Sequence, residues 1–190
     1  MTNLGNGLGC VHHHEERLAV LEAQLPTLRR QGVPEIVILN ASDNIACCYS
    51  DLGREEEALE LRRQIYAGSM VLSSAIPVHV MFIRVLNLSV SLRVTGRFTE
   101  AKSLLREQIP KARRALSEKH ESVTRLRWNY ATCLCDDAAS RDDLVESATI
   151  HEEIYSTTRR IYGPTHPLAA AIQRELARVR LILAPFDTSK

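Results

Sequence analysis

Three groups of residues in this 190-residue chain have side chains and spacings suited to chemistry. His12, His13 and His14 are consecutive imidazoles, and neutral imidazole is a common ligand for zinc, copper and nickel. Cys47, Cys48, Cys133 and Cys135 supply four thiols, the number a closed zinc site takes. Asn3, Asn44, Asn87 and Asn129 recur at intervals of about forty-two residues, and an amide offers both a donor and an acceptor to a peptide backbone.

Spacing decides among them. Three adjacent side chains cannot converge on one ion without an unusual backbone, and repeat register puts the histidines in a turn between two helices. The cysteine pairs read C-C and C-x-C rather than C-x2-C, and they lie two repeats apart. They are expected to be thiols packed as small apolar residues. No metal site and no cofactor is expected.

Catalytic patterns are equally thin. Serine, histidine and carboxylates occur throughout, but no G-x-S-x-G elbow and no phosphate loop is present, and GNGLG precedes no strand-to-helix unit. Glu152 with Glu153, and Asp136 with Asp137, read as solvated faces. His166 reads as a turn and capping residue. No catalytic residue is assigned, and the chain reads as non-enzymatic.

The asparagines belong to longer repeated stretches. NIACCYSDLG begins at Asn44, NLSVSLRVTG at Asn87 and NYATCLCDD at Asn129. In the second stretch, apolar residues at helical spacing from Ile36 to Tyr49 run up to Gly53, a C-terminal glycine signal. Glu55 to Glu57 then open a second helix with the negative charge that its dipole favours. Gly96 and Ala101 repeat the places of Gly53 and Ala58, and small residues there let helices approach closely.

This reading gives a degenerate or incomplete first repeat over 1–35 and repeats over 36–77, 78–119 and 120–165, the last with a longer internal turn. A capping helix over 166–184 and a tail over 185–190 complete one continuous array. Gly5, Gly7 and Gly9 weaken the first helix, at about 1 kcal/mol each, so the chain is expected to start partway through a longer array. Pro26 and Pro110 fall at the same register of second helices, where a kink on an outer face is tolerated.

Composition agrees with an all-α chain: apolar residues are 45% and aromatics only 5%. Lys and Arg number 24 against 23 Asp and Glu, so no global field attracts nucleic acid or an anionic membrane. No apolar run is long enough to cross a bilayer, and no signal sequence is visible, so five cysteines read as reduced thiols in a cytoplasmic protein.

IYGPTHPLA (Ile161 to Ala169) resembles the signature that closes the forty-two-residue tetratricopeptide repeats of kinesin light chain. SEKHE (Ser117 to Glu121) stands at the same place one repeat earlier. RLRWNYATCL and QIPKARRAL are similar to segments of kinesin-light-chain-like arrays in unicellular algae. The resemblance implies a tetratricopeptide-type α-solenoid of helix-turn-helix repeats with a C-terminal capping helix. No long heptad run is present, so motor adaptor activity is not implied.

The resemblance further implies a concave groove lined by the first helix of each hairpin, with the recurring asparagine pointing into it. Asn44, Asn87 and Asn129 would then hold the backbone of a peptide or protein partner. Asn40, Arg93 and Arg125 flank them and set selectivity, the arginines toward acidic residues. Trp128 is expected in the core. The alternative is a structural spacer that self-associates end to end through its terminal helices, near Leu18 and Leu21.

Overall fold

In the computed structural model, residues 3–136 and 139–187 are described, with side chains from residue 13 to 186 within those ranges, and every regular element among them is an α-helix. The chain divides between Thr95 and Gly96 into two compact units. The division falls inside the segment 78–119 rather than at either end of it.

Unit 1 holds α1 (Asn3–Arg30), α2 (Glu35–Asp51), α3 (Glu55–Val71) and α4 (Val78–Val94), each packed on the next. Ile38, Leu39, Ser42, Ile45, Ala46 and Cys48 are the buried side of α2 and recur at helical spacing. Pro34 and Pro77 stand immediately before α2 and α4, where a missing N–H costs nothing. Gly53 and Gly96 follow α2 and α4 at φ 73° and 76°, a left-handed backbone that turns the chain without a Cβ penalty. Ala58 is fully buried in α3, and a Cβ added to Gly68 would lie 3.0 Å from Leu39, so α3 approaches α2 closely. Leu18, Ile45 and Cys48 form a core onto which Leu21, Leu25, Tyr49 and Leu61 pack.

Two sequence expectations about α1 change. His12 to His14 lie within one continuous helix, not in a turn. The reason is visible in the repeat: the residue nine places after Asn44 and Asn87 is a glycine with positive φ, but after Asn3 it is His12, which has no ready access to that conformation. His13 faces Glu16 at 3.7 Å and His14 faces Asp51 at 3.5 Å, so these rings engage different carboxylates; the His12 and Asn3 side chains lie outside those described. Leu18 is buried and Leu21 packs on the core, so neither is a docking surface.

Unit 2 holds α5 (Phe98–Leu116), α6 (Glu121–Cys133), α7 (Arg141–Tyr162) and α8 (Pro167–Asp187), again packed in sequence. Arg106 on α5 donates to the Tyr130 hydroxyl at 2.8 Å, and that hydroxyl donates to Glu146 on α7 at 3.0 Å. Ile154, Leu168 and Ile172 make a core joined by Trp128. α2 and α3 are joined by Leu52–Arg54, whereas α6 and α7 are joined by the longer Leu134–Ser140. Asp137 of the paired carboxylates lies there, outside the described residues.

In unit 2, α6, α7 and α8 each start on a side-chain cap. His120 Nδ1 accepts the Ser122 amide at 3.1 Å at the start of α6, and His166 Nδ1 accepts the Leu168 amide at 3.2 Å at the start of α8. His166 also stacks on Tyr162 at 4.7 Å between ring centroids. Its part is capping and packing. Ser140 and Asp143 form a reciprocal capping box on α7.

Candidate protein-interaction face

The most organised polar surface in unit 1 joins α2 to α4. Asn87 Nδ2 donates to Asp43 Oδ1 at 3.3 Å, and Arg84 Nη2 donates to Asn40 Oδ1 at 2.7 Å. Both rungs connect residues 44 positions apart. One face of α2 thus meets the equivalent face of α4 through matched donors and acceptors. Asn44 lies one turn beyond Asn40 and is exposed; beside the rungs Ile83 is exposed as well.

Arg84 anchors this face from below. It is only 3% exposed, and its other terminal nitrogen donates to Ser69 Oγ on α3 at 2.6 Å. One guanidinium therefore ties α2, α3 and α4. Burial pushes its pKa below the ordinary arginine value, with Asp43 pulling the other way. Its Nε has no hydrogen-bond partner. A buried charge held by neutral oxygens is costly to unpair, by about 1–3 kcal/mol for each lost bond. The Asn40 carbonyl is accordingly fixed toward Arg84 while its amide nitrogen is left to solvent.

Arg62 repeats the device: it is 8% exposed, donates to Ser91 Oγ on α4, and leaves its Nε unpartnered. Sequence reading passed over both arginines. The available signal was an arginine at a helical position surrounded by apolar neighbours, as in FIRVLNL, with Asn40 at one repeat's distance.

The remaining proposed positions are placed differently. Asn40, Asn44 and Asn87 share unit 1, and Arg93 is half-buried on α4 there. Arg125 and Asn129 belong to unit 2. Arg125 is exposed and paired with Glu121 on its own helix at 2.7 Å. Asn129 is 7% exposed, so its amide is turned into unit 2. Trp128 is half-buried against Ile154 and Ile172, with its indole nitrogen lacking a partner.

The thiols divide between the units. Cys47 and Cys48 lie in unit 1 and Cys133 and Cys135 in unit 2, none of the four in a disulfide, with Cys48 and Cys133 fully buried. Cys135 Sγ meets Ser147 Oγ at 3.1 Å, and burial raises its pKa, which keeps the thiol protonated and unreactive. Next to it His151 is fully buried, with Nδ1 donating to the Ser147 carbonyl at 2.8 Å. Ser147 Oγ itself donates to the Ala131 carbonyl at 2.7 Å. This arrangement joins α6 to α7 inside unit 2.

Helices that pair in sequence order, joined by short turns and presenting polar faces with no assembled catalytic group among the described residues, define a helical repeat protein. Residues 86–122 match the family model of the tetratricopeptide repeat. The fold is similar to that of BtubC (BKLC) from P. vanneervenii, with a TM-score of 0.68 at 14% identity over 87% of this chain and 65% of that one. It is also similar to a kinesin-light-chain-type protein of nearly identical TPR-like repeats from Podosopora anserina, with a TM-score of 0.66 at 18% identity over 92% of this chain and 82% of that one. A variant of that protein gives 0.71 at 19% identity with the same coverage. This chain thus spans somewhat less than two thirds of the length of BtubC. No curated protein matches the sequence. Residues 86–122 thus carry a tetratricopeptide repeat, and the chain as a whole has the all-α fold of kinesin-light-chain-like repeat arrays.

Proposed function

We propose that the chain is a non-enzymatic protein-interaction module that holds an extended peptide segment across the face built by α2 and α4. Tetratricopeptide repeats as a class mediate protein–protein interaction, and the rungs of this face carry the specific reading. Asn40 and Asn87 are held in fixed orientations by Arg84 and Asp43, and Asn44 is open beside them. Amides fixed in advance lose little entropy when they pair with a peptide backbone. Ile83 supplies apolar contact, and Arg93 meets acidic side chains of the partner. Asn129, turned inward, orders unit 2 instead of touching the peptide. Free thiols suit a cytoplasmic setting.

Peptides selected from a random displayed library against the whole chain test this reading. Their affinity is expected to fall at least about tenfold in the double variant Asn44→Ala/Asn87→Ala, with the melting temperature within a few degrees of wild type. Selected peptides that bind the variant unchanged, or a variant that fails to fold, overturn the assignment of these amides.

A further inference from the structure

A second feature of unit 1 lies away from the α2–α4 rungs. α1 and α3 flank a groove of about 360 Å³ whose floor is Leu25, Ile45 and Leu61 and whose rim carries Glu22, Glu57 and Glu60. Glu57 is neutralised by Arg54. Glu22 accepts the Tyr49 hydroxyl at 2.7 Å, and Glu60 accepts the Gln64 amide at 3.0 Å. Pro26 also lines the groove, and having no N–H it leaves the Glu22 carbonyl without its helical donor. An apolar floor under a rim of three carboxylates, Glu57 paired with Arg54 and Glu22 within the field of the same arginine, matches a helix that carries arginines and aliphatic or aromatic residues on one stripe.

The chain itself carries such a helix. α8 exposes Arg174, Arg178, Leu181, Ile182 and Phe186 at spacings of three, four and seven residues, a single stripe. Leu181 is 77% exposed and Phe186 47%, an apolar exposure that marks an association surface when it is contiguous. Arg178 is paired only with Glu175 of its own helix, on the surface, a contact weak enough to be exchanged. We propose that the arginine–aliphatic stripe of α8 in one copy docks in the Glu22–Glu60 groove of a second copy. The two surfaces differ, so the contact is heterologous and each added copy leaves one groove and one α8 open for the next.

Sedimentation of the whole chain over a concentration series tests this. The wild type is expected to gain mass with concentration, in steps of one copy, and to dissociate as salt screens the rim. Glu22→Gln/Glu60→Gln is expected to associate about tenfold more weakly. Leu181→Ser/Phe186→Ser is expected to be monomeric, with unchanged helical signal because both side chains are exposed. If that variant melts early, Arg174→Gln/Arg178→Gln replaces it. An equimolar mixture of the groove and α8 variants, each keeping one intact surface, is expected to stop at two copies. A wild type that stays monomeric throughout, an assembly indifferent to both variants, or a mixture that remains monomeric overturns the proposal.

Discussion

Ser117 sits at φ 84° and ψ 156°, a region essentially reserved for glycine, and no other non-glycine described residue has positive φ. Gly163 holds nearly the same conformation, φ 90° and ψ 163°, three residues before His166 as Ser117 is three before His120. The connection demands glycine and one copy lacks it. Ser117→Gly is expected to stabilise the chain by about 1 kcal/mol, the strain relieved exceeding the added freedom of the unfolded chain. A rise of a few degrees in the thermal midpoint would confirm it, and a fall would refute it.

His151 makes a second residue-scale prediction. Burial pushes its pKa below the ordinary histidine value, with the Ser147 carbonyl and Glu175 opposing and Arg178 adding to the depression. The folded state therefore holds the ring neutral, while the unfolded chain binds a proton below about pH 6.5. Stability is full above that pH and is lost as pH falls toward the depressed folded value. Denaturant midpoints measured from pH 7.5 down to pH 5 are expected to fall, and His151→Gln is expected to flatten the decline. An equal slope in both proteins would show that other groups carry it.

Among the elements, α7 tests local capping. Ser140 Oγ accepts the Asp143 amide at 3.1 Å while Asp143 accepts the Ser140 amide at 3.0 Å and its hydroxyl at 2.6 Å. These bonds, first that from the Ser140 hydroxyl, hold the Asp143 carboxyl below its usual pKa. Ser140→Ala is expected to cost about 1 kcal/mol, read as a lower urea midpoint with an unchanged slope. The second repeat was legible because its signals are local: apolar spacing, Gly53, then three glutamates. The α1 run from Asn3 was misread because a turn was extrapolated from the interval of the asparagines, while the residue that makes that turn, glycine, is absent at His12. The rungs were only half legible. Asn40 and Asn87 stood out by type, but Arg84 is an arginine whose burial depends on Ser69 and Asn40, from two other helices, and no local pattern announces that.

For the whole molecule, helix-to-helix burial supplies a core within each unit. Leu18, Ile45 and Cys48 serve unit 1, and Ile154, Leu168 and Ile172 serve unit 2. Such chains gain stability neighbour by neighbour, which leaves surface faces free to vary without loss of fold. That freedom bears on both the proposed peptide face and the proposed contact between copies: Asn44, Ile83 and Leu181 are exposed, and altering them is expected to leave the packing intact. No described helix is long and apolar enough to cross a membrane.

The joint between α6 and α7 has a further consequence. Because the Ser140–Asp143 box starts α7 with bonds made inside its own first turn, the helix does not depend on how the chain arrives. Lengthening a flexible loop costs only about 0.6 kcal/mol per doubling. The joint is thus a natural port for foreign sequence: a fluorescent reporter or an epitope spliced ahead of Ser140 would ride on the array while α7 and α8 kept their register.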